Sequence, residues 1–330
     1  MEDNARVEES PEEIAALGAP ARDLAAQMEA GLIGRAPLVE RLLIALLTGG
    51  HVLIEGAPGL AKTRAVHLLA DGLEGQFARI QCTPDLMPTD LTGTQVFRPG
   101  EGLMEFLPGP VFNSLVLVDE INRAPPKVQS ALLEAMAERQ VTAGGQTRPL
   151  PDDFMVIATQ NPLEHEGTFP LPEAQLDRFL FHVSVDMPDE ETEMRILDLV
   201  EGEVAGGAPP VTARLSSEDV LRMRQAVAGI HLSKALKHYI VSLVMETRRA
   251  ESDIAARIEH PVSPRGTLFL AAAARARAFL QGRRYAVPED VAALAPDVLA
   301  HRLVPTWRAR ADGDTPRRLI ADALAAVAPL

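Results

Sequence analysis

Through residues 21–50 (ARDLAAQMEAGLIGRAPLVERLLIALLTGG) apolar side chains return every three or four positions, the spacing of an amphipathic helix. Beyond it the rhythm changes. Short runs rich in Val, Ile, Leu and Phe follow: HVLIE (51–55), FARIQC (77–82), LVLVDE (115–120), FMVIATQ (154–160) and FLFHVSV (179–185). Their length and near-continuous apolar character predict strands buried on both faces. Helical stretches separate them, among them KTRAVHLLADGL (62–73) and PPKVQSALLEAMAERQ (125–140). Strands alternating with helices predict an α/β fold, a parallel sheet sandwiched by helices.

Two segments interrupt the alternation. GTQVFRPGEGLMEFLPGPVF (93–112) carries Pro-Gly-Glu-Gly between apolar pieces, and RQVTAGGQTRPLPDDF (139–154) carries Gly-Gly between extended pieces. Both predict β-hairpins. Past MPDEETEMRILDLVEG the strand signal disappears, and from Ser217 onward the chain reads as helices joined by short breaks such as SPRGT and VPEDV. The expected organisation is an acidic N-terminal tail over 1–20, with at most a short helix. An α/β domain over 21–187, a linker over 188–216 and a smaller all-α lid domain over 217–330 follow.

Composition narrows the picture. A chain of 330 residues with 47% hydrophobic and 24% charged residues can bury a substantial core. Its net charge of −14 argues against a surface built mainly for nucleic acid, while leaving room for a local basic groove. Cys82 is the only cysteine, which excludes a disulfide framework and a thiolate metal cage and suits a reducing compartment. The opening MEDNARVEESPEEIAALGAP has no signal-peptide pattern, and the apolar stretch LFLAAAARARAFL is broken by Arg275 and Arg277. A soluble, cytoplasmic protein is expected.

The candidate chemistry lies at strand ends. GAPGLAKT (56–63) sits between HVLIE and a helix. In such a strand–loop–helix turn the backbone N–H groups point at phosphate oxygens, and the helix N-terminus adds positive potential. Gly56 and Gly59 let the turn close through Ala57, Pro58 and Leu60. Lys62 would reach the β- and γ-phosphates of a nucleoside triphosphate, and the Thr63 hydroxyl would ligate Mg²⁺. Ala61 stands where the common pattern has a second glycine; its methyl is tolerable if the backbone there is helical. A plain glycine-rich turn before a helix is the bland alternative.

LVLVDEIN ends in Asp119 and Glu120. Ligands of parallel sheets bind outside the carboxyl ends of the strands, where the glycine-rich loop also lies. Asp119 would hold the Mg²⁺ shell and Glu120 would position or deprotonate the attacking water. FMVIATQNP ends in Thr159, Gln160 and Asn161, and an amide there can orient water against the γ-phosphate. Gln81 is placed to restrain Glu120 between cycles. EHEG (Glu164, His165, Glu166) lacks metal-ligand spacing and reads as a solvated loop.

With these pieces in this order the chain resembles the AAA+ ATPases, and within them the MoxR family. The resemblance runs from about Leu32 into the last hundred residues. It rests on GLIGRAPLVERLLIALLTGGHVLIEGAPGLAKT (31–63), LVLVDEINRAPPKVQSALLEAMAERQVT (115–142), VIATQNPLEHEGTFPLPEAQLDRF (156–179) and SPRG (263–266). The resemblance implies Walker A at Gly56–Thr63, with GLAKT a common family form, and Walker B at Asp119 and Glu120. It implies sensor 1 at Asn161, an arginine finger for the neighbouring subunit at Arg178, and sensor 2 at Arg265, in cis or in trans. Ile33 and Gly34 would lie near the adenine. An ion pair of Arg178 with Asp177 or Glu173 would be the purely structural alternative.

The same resemblance makes the hairpins the helix-2 insert and the hairpin before sensor 1, shared with magnesium chelatase and minichromosome-maintenance helicases. It implies a homo-oligomeric ring, a hexamer, that remodels, matures or activates client proteins. A separate partner with a von Willebrand factor A domain is implied too, often in metal-cofactor insertion. A DNA translocase of the same subgroup is the alternative, against which the acidic balance counts. A nucleotide-dependent assembly switch with little turnover is a third reading.

Overall fold

In the computed structural model, residues 10–100, 102–164, 167–207 and 210–328 are described. The first helix starts earlier than its composition suggests. Ser10 and Glu13 form a reciprocal capping box, with proline in the first turn, and α1 runs over Pro11–Ala30. Ile14, Ala21, Leu24 and Met28 are buried along it. The expected tail is therefore corrected from residue 11 onward; Glu12, Glu13, Gly18 and Pro20 disguised a helical apolar repeat. Residues 1–9 of that tail lie outside the described residues.

α2 (Ala36–Thr48) is buried along most of its length, from Leu38 to Leu47. The chain then alternates through β1 (Val52–Gly56), α3 (Lys62–Asp71), β2 (Phe77–Gln81), α4 (Pro88–Thr92), β3 (Gly93–Arg98), β4 (Leu103–Pro108), β5 (Leu115–Asp119) and α5 (Pro126–Glu138). It continues through β6 (Gln140–Ala143), β7 (Gln146–Pro149), β8 (Met155–Gln160), α6 (Glu173–Leu176) and β9 (Phe181–Val185). β2, β5, β8, β1 and β9, in that order, form one parallel sheet.

Its strands divide their side chains by the two-residue period of extended backbone. Val52, Ile54, Leu115, Leu117, Met155 and Ile157 enter one apolar cluster, with α1, α2 and α3. Leu53, Val116, Val118, Val156 and Ala158 enter the other, with Val128, Leu132, Leu133 and Met136 of α5. The sheet is thus the α/β sandwich that the apolar runs predict. His51 fastens the start of β1: its Nδ1 accepts from Val156 N (3.0 Å), and its Nε2 lies 3.4 Å from Met136 O. Burial pulls its pKa down to about 3, so the ring stays neutral with the hydrogen on Nε2.

β3–β4 and β6–β7 are antiparallel hairpins outside the main sheet. The first exposes Phe97, Leu103, Met104 and Leu107. The expected linker is mostly a helix, α7 (Glu190–Gly206), capped by Asp189 accepting from Thr192 N. None of its residues is fully buried, so composition gave it no core signature.

Then come α8 (Ser217–Gly229), α9 (Lys234–Glu246), β10 (Ile258–His260), α10 (Pro264–Leu280), α11 (Pro288–Leu299), β11 (Val304–Pro305), α12 (Trp307–Ala311) and α13 (Pro316–Ala326). The lid is helical but not purely so, because β10 and β11 pair antiparallel. α10 packs on α1 and α2, and the lid shares one continuous apolar cluster with a face of the sheet.

Candidate active site

β1 delivers the glycine-rich loop to the carboxyl end of the sheet, and α3 begins at Lys62. Gly56 has no room for a side chain, since a Cβ there would lie 2.8 Å from Val185 O. Gly59 turns with φ +84°. Ala61 does not have the right-handed helical backbone under which its methyl would be free of strain. Its φ and ψ are +59° and +19°, the left-handed conformation that a glycine would adopt without strain. Lys62 Nζ donates to Gly56 O, to Ala57 O (3.2 Å) and to Gln160 O (3.4 Å). Partial burial lowers its pKa, while Asp119, Glu120 and Glu55 oppose the shift.

Facing the loop, Asp119 is nearly fully buried at the end of β5. Its Oδ1 accepts from Thr159 Oγ1 (3.0 Å) and its Oδ2 from Arg79 Nε (2.7 Å). The Thr159 hydroxyl in turn accepts from Glu120 N (2.9 Å), so one β8 side chain aligns both acidic residues. Glu120 itself has φ +56°, an uncommon conformation for a residue with a side chain. Its Oε2 accepts from Gln81 Nε2 (3.1 Å) and Arg123 Nη1 (3.0 Å). Asn161 is buried beside them, its Oδ1 accepting from Leu163 N (3.1 Å).

These groups line one open cleft of about 350 Å³: Pro58 to Arg64, Arg79, Gln81, Asp119, Glu120, Thr159 and Asn161. The sequence-derived phosphate, acid and amide residues therefore converge. Two arginines were missed. Arg79 alternates out of a strand that otherwise reads as buried. Arg64 ties α3 to the turn after α1 through Gly31 O (2.9 Å) and to α7 through Glu203. Ile33 and Gly34 do not line the cleft; Gly34 packs against Thr192 of α7. His165 and Glu166 lie outside the described residues, and among the described residues no cluster of three or more His, Cys, Asp or Glu side chains is placed to hold a metal ion.

Arg178 and Arg265 lie elsewhere. Phe181 pairs with Val52 at the start of β1, and Leu180 N donates to His51 O (2.8 Å), so Arg178 sits at the amino end of the sheet. The five residues of β1 put roughly 15 Å between that end and the loop. Arg178 donates to Leu133 O and lines a separate open groove of about 610 Å³ with Glu134, Glu138 and Gln175. Among the described residues it makes no ion pair with Asp177 or Glu173. Asp177 turns instead to Arg265 (3.3 Å) and to Arg302, whose Nε lies 3.0 Å from its Oδ1. Both arginines thus share one edge, away from the cleft of their own chain.

Residues 51–181 match the family model described as "ATPase family associated with various cellular activities (AAA)", and residues 246–323 match "AAA lid domain". Chaperone MoxR1 of Mycobacterium tuberculosis is 47% identical over 302 residues, covering 90% of this chain and 79% of its own length. YeaC of Bacillus subtilis is 42% identical over 297 residues, 90% of each chain. Protein MoxR of Methylorubrum extorquens is 34% identical over 310 residues, 86% of this chain and 88% of its own. The crystal structure of a candidate ATPase from Cytophaga hutchinsonii superposes with a TM-score of 0.87 at 39% identity, covering 97% of both chains.

Proposed function

The chain belongs to the MoxR family of AAA+ ATPases and is an ATPase; from that premise we propose that two copies complete each reaction centre in a ring whose Mg²⁺-dependent turnover remodels, matures or activates client proteins. Lys62, now turned onto loop carbonyls, would move to the β- and γ-phosphates. Thr63 and Asp119 are hard oxygen donors beside it and fit a magnesium ion. Mg²⁺ held there would neutralise charge building on the phosphate oxygens. Glu120, released from Gln81 and Arg123, would take the proton of the attacking water, and Asn161 would orient that water. Arg178 and Arg265 of a second copy would face the γ-phosphate.

The observation that carries this reading is the position of Arg178 at the end of the sheet opposite Lys62, out of reach of its own cleft. A head-to-tail contact then brings the arginine edge of one copy to the cleft of the next, and such contacts make a ring where the rotation between copies closes. Six copies follow from the family resemblance alone. The test is ATP turnover of Lys62→Ala, Glu120→Gln and Arg178→Ala, each expected to fall, with a finger arginine contributing about 10³-fold or more. Sizing with and without ATP accompanies it. A monomer that splits ATP as fast as the assembled form would overturn the reading.

The name Chaperone MoxR1 supports client remodelling. Exposed Phe97, Leu103 and Met104 on the β3–β4 hairpin suit contact with clients. A separate von Willebrand factor A partner, and metal-cofactor insertion as the purpose, belong to this proposal through the family resemblance. So does a cytoplasmic setting; no described helix is long and apolar enough to cross a membrane. Affinity capture with Glu120→Gln identifies the client.

The DNA-translocase alternative is not supported. The two basic residues of segment 139–154 are engaged within the chain. Arg139 donates to Asp152 O and Gly49 O, and Arg148 donates to Ala143 O while lying 3.9 Å from the Phe106 ring centre.

A further inference from the structure

A buried guanidinium of the lid is packed against the arginine edge. Arg302, in the turn after α11, has a side chain with no solvent exposure. It donates to Asp177 O (3.2 Å), Leu180 O (3.5 Å), Phe179 O and Val298 O. Three of these carbonyls belong to the four residues that contain Arg178. They follow the short helix α6, whose end leaves carbonyls without helical partners. Asp177 receives two further groups from the first turn of α10: Ser263 Oγ donates to both carboxylate oxygens (3.0 and 3.1 Å), and Arg265 pairs at 3.3 Å.

A buried cation persists only where charge and hydrogen bonds compensate it, and a planar fork spans several carbonyls as an ammonium does not. Burial lowers the pKa of Arg302 to about 10, which leaves it charged at neutral pH.

We propose that Asp177 and Arg302 are positioning residues, which lock the segment carrying Arg178 to the lid, beside Arg265, so that both arginines reach the neighbouring copy as one unit. This rests on the reading that Arg178 acts in the neighbour's reaction centre. It also gives lid motion in one copy a direct route to hydrolysis in the next.

The test uses the full chain with Asp177→Asn, which keeps the Ser263 contact and removes the charge, and Arg302→Lys, which keeps the charge and removes the fork. Melting, ring size and fluorescent-ATP affinity verify folded, assembled protein. Each variant is expected to lose about 10- to 100-fold in kcat, the scale of a misplacement near 1 Å, with KM for ATP within about twofold. Each is then mixed in equal parts with Lys62→Ala. That partner has an intact arginine edge, so a defect confined to the edge is relieved and turnover exceeds that of either variant alone.

Arg178→Ala mixed with Lys62→Ala tests the underlying reading separately. If that mixture recovers while Asp177→Asn and Arg302→Lys retain wild-type kcat, or lose kcat without recovering on mixing, the positioning role is wrong and the shared centre stands. If one variant does not assemble, the other decides by the same criteria; failure of both to assemble makes the pair a folding element and overturns the proposal. If Arg178→Ala retains full turnover, the shared centre and the positioning role fall together.

Discussion

Gln81 Nε2 donates to Glu120 Oε2 at 3.1 Å, joining the last residue of β2 to the residue just past β5. Arg123 holds the same oxygen at 3.0 Å, so the carboxylate is turned toward the chain and away from water activation. A hydrogen bond to a charged group contributes about 1.5–3 kcal/mol, less where solvent reaches it as it does here. Gln81→Ala is expected to raise basal ATP turnover severalfold, roughly 1 kcal/mol of barrier, without changing ring size. Steady-state turnover checks it; an unchanged or lower rate would mean that Gln81 serves Glu120 in the reactive state.

Much of this site was legible because phosphate chemistry concentrates in local motifs. Lys62, Asp119, Glu120 and Asn161 each end or follow an apolar strand, and parallel strands bring their carboxyl ends together. Arg178 could be named from its motif, but its distance from Lys62 required the pairing of Phe181 with Val52, which no local pattern encodes. α7 reads as linker because it buries no residue, and the first half of α1 reads as tail because Gly18 and Pro20 interrupt its repeat. Arg302 was invisible for the opposite reason: a lone arginine after a helix ordinarily reads as solvated, and only tertiary packing buries it.

Ala61 sits at φ +59°, where a left-handed residue with a Cβ costs about 1–2 kcal/mol. Glycine relieves that strain but adds freedom to the unfolded chain, about 0.5–1 kcal/mol in the other direction. Ala61→Gly is therefore expected to be neutral or stabilising by up to about 1 kcal/mol. Ala61→Val adds β-branching in the same conformation and should destabilise by more than about 1 kcal/mol. Thermal melting of both variants decides, and a stable Ala61→Val protein would contradict the left-handed geometry.

His51 gives folding a defined pH dependence. Its folded pKa of about 3 lies below the unfolded value near 6.5, so under pH 6.5 the unfolded chain binds a proton that the folded chain refuses. Stability from this group is present above pH 6.5 and declines as pH falls toward 3, by about 2 kcal/mol at pH 5. Buried His301, lowered first by burial and then by Arg302, acts in the same direction. Urea unfolding at pH 7 and pH 5 is expected to show the loss, and His51→Gln should flatten the slope by about one proton. An identical slope in that variant would exclude His51 as its source.

Arg79 holds Oδ2 of Asp119, one of the carboxylates that would face a magnesium ion. The Nε–Oδ2 separation is 2.7 Å and Thr159 holds the other oxygen, so a metal ion would compete with the guanidinium for this carboxylate. The Arg79 side chain is half exposed and has room to swing into solvent, which keeps the cost modest. Removing it leaves Asp119 nearly buried with one partner fewer and makes the carboxylate a better ligand for a cation. Arg79→Ala is therefore expected to lower the Mg²⁺ concentration for half-maximal binding of fluorescent ATP about fivefold, roughly 1 kcal/mol. A rise in that concentration would show instead that Arg79 supports the bound phosphates, as its place on the wall of the cleft also permits.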